Sequence, residues 1–215
     1  LYEVKPVTLL SGLLSNLQQR NGFDTAAVDD VVMGIVSPIG EQGSVLPKIA
    51  ALKAGWDFTA SGVQINRFCA SGLEAVNLAA MKVRSGFEDL VVAGGVEVMS
   101  RVPLGAARQT GAPYGPKALA RYDGFGFNQG ISAEMISAKW GLSRARLDEY
   151  SARSHELAAA AKDSGAFITQ IVPVFTDDGG VVHEDEGIRR GTTVEKLGGL
   201  TPRAIRTHLG LNKPI

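Results

Sequence analysis

One sulfhydryl stands where covalent chemistry could be done. Cys69 is the only cysteine among 215 residues, in the stretch Gln64-Ile65-Asn66-Arg67-Phe68-Cys69-Ala70-Ser71-Gly72-Leu73. A short apolar run precedes it and a helical pattern follows. A side chain in such a strand-to-helix turn projects from the carboxyl edge of a sheet, where open α/β folds bind ligands. The start of the following helix presents unpaired N–H groups and the positive end of its macrodipole, and both favour an anion. The anion here is a thiolate, the nucleophilic form of cysteine. The same N–H groups suit an oxyanion developing on an attacked carbonyl. Ala70, Ser71 and Gly72 are small enough to admit that carbonyl. The competing reading is an inert cysteine packed in a core, the commoner fate of this residue type.

The elements around the thiol have to place it. Pro6 to Arg20 carries Val7, Leu10, Leu13, Leu14 and Leu17 at helical spacing, with Asn21-Gly22 as a stop. Residues 31–36, Val-Val-Met-Gly-Ile-Val, read as a strand buried on both faces. A loop with Pro38, Gly40 and Gly43 leads to a short helix over 45–54, and 62–66 is a second strand candidate. The helix after Cys69 is expected from about Ser71 to Ser85, with Leu73, Val76, Ala80 and Val83 along its apolar face and Gly86 ending it. Residues 90–95 are a third buried strand. This alternation predicts a parallel sheet with helices on its faces.

After about Val102 the pattern changes. Residues 103–130 are rich in Gly, Pro and Ala and read as a long loop region. Helices are expected over 130–140 and 143–162, the second capped by Ser143 and carrying Leu147, Tyr150, Ser154, Leu157 and Ala161 in one stripe. Residues 167–175 suggest a strand, and Asp177-Asp178-Gly179-Gly180 a hairpin turn into Val181-Val182.

Composition narrows the classes. Apolar residues make up 45% and charged residues 20%, an ordinary globular balance. Lys plus Arg and Asp plus Glu both number 22, which argues against a nucleic-acid binder. No apolar run approaches the roughly 20 residues that cross a bilayer. A single cysteine fits a reducing compartment, so a cytoplasmic location is expected. The chain opens at Leu1 rather than methionine, which leaves a preceding targeting segment open.

Several ordered motifs carry a family resemblance. "INRFCASGLEAVNLA" at 65–79 followed by "VVAGGVEVMSRVP" at 91–103 resembles the nucleophile region of the thiolases, the acetyl-CoA acetyltransferases and 3-ketoacyl-CoA thiolases. "GEQG" at 40–43, "GISAEMIS" at 130–137, "LDEYSARSHELAAAAKDSGAFITQIVPV" at 147–174 and "IRRGTTVEKLGGLTP" at 188–202 are similar to further segments of that family. The resemblance implies an α/β fold. In it a layered αβα nucleophile domain over 1–102 carries an inserted α+β loop domain over 103–202. The tail 203–215 is unassigned and the family's C-terminal half is absent.

The resemblance also implies a chemistry. Cys69 takes an acyl group from a 3-ketoacyl-CoA, and coenzyme A then removes it; in reverse, the acyl-enzyme condenses with acetyl-CoA. The Cys69 N–H belongs to the implied oxyanion hole. Coenzyme A is a substrate, and no cofactor or metal is implied. Asn128 and Gln129 stand where the family lines its acyl and pantetheine tunnel, and Arg189 matches a contact to the nucleotide end of coenzyme A. The bland readings are an amide that caps its own backbone and a solvated arginine, with Arg190 as the possible alternative contact. The family's Asn-Glu-Ala-Phe, Gly-His-Pro and Cys-x-Gly-x-Gly motifs do not occur, and His155, His183 and His208 lack their context. His155 and His183 read as structural or surface residues, and Met99 and Met135 as core rather than tunnel. Implied partners are acyl-CoA, coenzyme A and a second copy in a homodimer or homotetramer; nucleic acid and membrane are not expected. Two alternatives stay open: a ketoacyl synthase of the same fold, and a non-catalytic thiolase-like lipid carrier or assembly subunit.

Overall fold

Strand β1, Asp30–Gly34, is buried at all five positions, as its unbroken apolar run predicts for a central parallel strand. It pairs in parallel with β2, Ser61–Ile65, on one side and with β3, Val91–Gly95, on the other, so the order is β2-β1-β3. The computed structural model describes residues 1–109, 111, 113–122 and 128–200.

Two helices lie on one face. Helix α1, Pro6–Asn21, begins on proline and is closed by Gly22 in the left-handed conformation. Helix α2, Leu46–Lys53, also begins with a proline in its first turn. Leu10 and Leu14 of α1 and Ala50 and Ala51 of α2 join Val31, Met33 and Ile35 in one apolar cluster. Burying Leu10 and Leu14 contributes about 2 kcal/mol each, relative to exposure.

Helix α3, Ser71–Arg84, covers the other face, over β1 and β3. Its orientation corrects the sequence expectation. The buried positions are Ser71, Ala75 and Ala79, whereas Leu73, Val76 and Val83 are 66%, 50% and 44% exposed. The reason is distance. A Cβ on Gly34 of β1 would lie 2.4 Å from the carbonyl carbon of Ser71 and 2.6 Å from the amide nitrogen of Gly72. The helix sits so close to the strand that only small side chains fit between them. Lys82 fixes the far end of α3 by reaching Asp30 Oδ2 at 2.5 Å and Glu88 Oε1 at 2.7 Å.

Backbone contacts group the chain into two units. The first holds Leu1–Ala112 and Val172–His183; the second holds Pro113–Ile171 and Glu184–Ile215. The first unit thus reaches past the expected boundary at 102. It also takes back the short antiparallel pair β4, Val174–Phe175, and β5, Val181–Val182, joined by the expected turn. The strand expected from 167 is confined to β4; Gly165 to Gln170 form turns instead.

The second unit contains α4, Pro116–Ala120, α5, Gln129–Trp140, α6, Arg144–Asp163, and α7, Val194–Gly198. Ser143 caps α6 as expected, accepting from the Arg146 amide at 3.2 Å. The expected apolar stripe of α6 is not buried; Tyr150 is 77% exposed and Asp148 is the buried residue of that helix. Arg144 bonds Asp148 through Nε at 2.8 Å and the Leu197 carbonyl through Nη2, which ties α6 to α7.

Candidate functional site

The turn from β2 to α3 is built by short bonds around an unusual backbone. Phe68, the residue before the thiol, has φ +48°. For a bulky L-residue this left-handed conformation costs on the order of 1–3 kcal/mol and persists only when its surroundings hold it. The Phe68 amide donates to Asn66 Oδ1 at 2.9 Å, and the Phe68 carbonyl accepts from Ser71 Oγ at 2.6 Å. Ser71 Oγ also accepts from the Arg67 amide at 2.8 Å. Ser71 is buried under the helix start, so the turn is anchored from inside. Arg67 pairs with Glu74 at 2.8 Å on the solvent side.

The result is an elbow with Cys69 at its exposed apex, outside any disulfide. The core reading of this cysteine is therefore overturned. Cys69 stands two residues before the first residue of α3, beside the positive end of that helix. The Ser71 and Glu74 amides are spent on the Phe68 and Ala70 carbonyls. The Ala70 amide is likewise spent, on the Arg67 carbonyl at 3.1 Å.

The remaining candidates lie in the second unit. Asn128 is the N-cap of α5, with Oδ1 accepting from the Gly130 and Ile131 amides at 2.9 and 3.2 Å. Its side chain does the capping work that the bland reading assigned to it. Gln129 is the first residue of that helix, and both side chains are exposed. Arg189 borders a depression of about 420 Å³ together with His155, Glu156, Asp163, Arg190 and Thr192. Asn128 and Gln129 do not line it. Arg190 is committed to Asp163 by two bonds of 2.9 and 2.6 Å, and this pairing holds the Asp163 carboxyl below its ordinary pKa. The Arg189 amide donates to His155 Nδ1 at 3.2 Å, so His155 has the structural role expected of it. Met99 and Met135 are exposed and belong to no core. Among the described residues no group of three or more His, Cys, Asp or Glu could hold a metal ion. No described helix is long and apolar enough to cross a membrane.

Sequence reasoning did not see the bonds behind the elbow. Gln42 is wholly buried and Glu97 half-buried. Gln42 Nε2 donates to Glu97 Oε1 at 2.8 Å and to the Ser37 carbonyl at 3.0 Å, while Gln42 Oε1 accepts from the Val98 amide at 2.8 Å. Both residues fall inside stretches that carried the resemblance, "GEQG" and "GGVEVMS". That was the available signal, but nothing in it joins the two.

An open α/β domain with an exposed thiol at a strand-to-helix elbow is the class these features define. Comparison with known proteins makes it specific: residues 1–207 match the family model described as "Thiolase, N-terminal domain", and the chain belongs to the thiolase family. It is 36% identical over 207 residues to a steroid 3-ketoacyl-CoA thiolase, FadA6, of Mycobacterium tuberculosis, covering 93% of this chain and 50% of that protein. It is 37% identical to a probable acetyl-CoA acetyltransferase of Escherichia coli K12, covering 91% of this chain and 53% of the relative. A peroxisomal 3-ketoacyl-CoA thiolase of Yarrowia lipolytica is also 37% identical, over 90% of this chain and 48% of its own length. The chain spans about half the length of these curated relatives.

Proposed function

We propose that this chain supplies the acyl-accepting half of a thiolase, which cleaves 3-ketoacyl-CoA or, in reverse, condenses acetyl-CoA. In cleavage the Cys69 thiolate attacks the 3-keto carbonyl, the C2–C3 bond breaks, and the departing carbon takes a proton to leave as acetyl-CoA. The shortened acyl group stays on sulfur until coenzyme A takes it. In condensation the thiolate attacks the thioester carbonyl of acetyl-CoA and releases coenzyme A. The exposed cysteine at the apex of the hydrogen-bonded elbow is the observation that carries this reading. An acyl chain can reach the sulfur, and α3 offers its positive end to the anion that attacks and the oxyanion that forms. Arg189, beside the depression on α6, is the cation offered to the phosphates of coenzyme A, because Arg190 is committed to Asp163. Asn128 and Gln129 belong to the same reading as lining of the acyl and pantetheine path. Coenzyme A is a substrate, and the reaction as read needs no cofactor or metal. Self-association as a homodimer or homotetramer and a cytoplasmic location complete the reading.

Intact-mass and peptide mass spectrometry after incubation with acetyl-CoA or acetoacetyl-CoA tests it. The expected product is a single acyl adduct on Cys69, absent in Cys69→Ala. Sustained turnover is not expected, because His155, His183 and His208 stand outside any Gly-His-Pro context. An adduct elsewhere, or none, overturns the assignment.

A further inference from the structure

The strained elbow is wired to bonds that begin far from it in the chain. The path starts at Gln42, whose three side-chain bonds lock the loop after β1 to the segment after β3. Glu97 receives one of them on Oε1 and uses Oε2 to accept from the Val36 amide at 2.8 Å. The Val36 carbonyl in turn accepts from Asn66 Nδ2 at 2.9 Å. Asn66 Oδ1 then accepts from the amide of Phe68 at 2.9 Å. Every link is of ordinary hydrogen-bond length, and the chain ends on the one elbow residue with positive φ.

The polarity of each link matters. Glu97 offers only acceptors, so both of its oxygens orient donors. Gln42 is fully satisfied with two donations and one acceptance. Asn66 acts as donor at one end of its amide and acceptor at the other, so it transmits the position of Val36 to Phe68. Removing one link leaves a polar group without its partner, partly shielded from water.

We propose that Gln42, Glu97 and Asn66 are positioning residues for Cys69, acting through Val36 and Phe68 to hold the strained elbow in the geometry that aims the thiol along the start of α3. The inference rests on the reading of Cys69 as the acyl acceptor. They act by fixing the backbone before the sulfur.

The test is the rate of Cys69 alkylation by iodoacetamide in the full chain near neutral pH, beside hydrogen exchange of the Val36 and Phe68 amides. The wild-type thiol is expected to react faster than a small-molecule thiol. Glu97→Gln turns one acceptor into a donor facing the Gln42 amide, and should slow alkylation about tenfold while both amides exchange faster. Gln42→Glu sets a carboxylate oxygen against both the Glu97 carboxylate and the Ser37 carbonyl, and should slow alkylation at least as much. Both substitutions keep the side-chain volume, so residues that merely fill space would leave the rate and the exchange unchanged. Asn66→Ala, at an exposed position, gives a second variant if Glu97→Gln fails to fold; it should slow alkylation and free the Phe68 amide. Unchanged alkylation and exchange in folded variants overturn the proposal. If the amides respond but the wild-type thiol reacts no faster than the small-molecule thiol, the relay stands and the acyl-acceptor reading fails.

Discussion

The two units hold their shapes by different means. The first has a dry core in which β1 is buried on both faces and the elbow is fixed by bonds that cross the chain. In the second, among its described residues, no hydrophobic side chain is buried; Ser137 and Asp148 are. Caps and polar bonds hold its helices, from Ser143 on α6 and Asn128 on α5 to Arg144 on the Leu197 carbonyl. The thiol therefore stands on the part whose geometry is set by packing. The residues proposed to meet coenzyme A stand on the part set by exposed polar contacts. Covalent chemistry needs sub-ångström placement, whereas a flexible nucleotide tail tolerates an adaptable surface.

The contrast should break most sharply at Gly34. Gly34→Ala places a methyl group 2.4 Å from the Ser71 carbonyl carbon, and should cost about 3 kcal/mol in urea unfolding, because backbone has to move. Gly72→Ala, with nothing within 4 Å of the added Cβ, should leave the urea midpoint level or raise it, since alanine favours helix by roughly 1 kcal/mol. Equal losses would mean that α3 is not pressed onto the sheet.

Lys82→Met should come next, at about 2 kcal/mol, discounted for partial exposure. It strands the nearly buried Asp30 carboxylate, which loses the 2.5 Å bond from Lys82. Burial works against the Lys82 charge, but the bonds to Asp30 and Glu88 outweigh it and raise its pKa above 10.5. A raised folded-state pKa means the stabilisation is whole below the unfolded value and fades as pH rises through the folded one. Unfolding midpoints of the wild type should fall in that alkaline range, and those of Lys82→Met should fall less steeply there.

The smallest effect belongs to the second unit. Ser143→Ala removes the α6 cap and should cost about 1 kcal/mol, read as lost helical circular dichroism at lower urea, with Cys69 alkylation unchanged. A loss as large as that of Gly34→Ala would mean the two units do not differ as described.

Much of this was legible in the residues. The α1 and α6 extents, the Ser143 cap and the hairpin at 177–180 follow local rules, and the structure keeps them; of the strand expected over 31–36 it keeps 31–34, starting one residue earlier at Asp30. The elbow was legible because a thiol between an apolar run and a helix is a local pattern. The buried face of α3 was not. Large apolar residues usually point inward, and nothing local says that Gly34, far earlier in the chain, brings the helix close enough to admit only Ser71, Ala75 and Ala79. The α6 stripe failed for a related reason: its spacing was right, but Leu147, Tyr150 and Leu157 meet no core. The Gln42–Glu97 bond joins residues 55 apart, and such pairing is a property of the sheet rather than of either segment.

Phe68 carries a cost for the sake of its neighbour. A collection of variants selected for heat resistance alone should replace it early with glycine or asparagine, which tolerate that backbone, and little is lost because the ring is mostly in solvent. The survivors would be sturdier proteins with a slacker elbow and a duller sulfur. Durability and reactivity are thus set against each other at a single side chain.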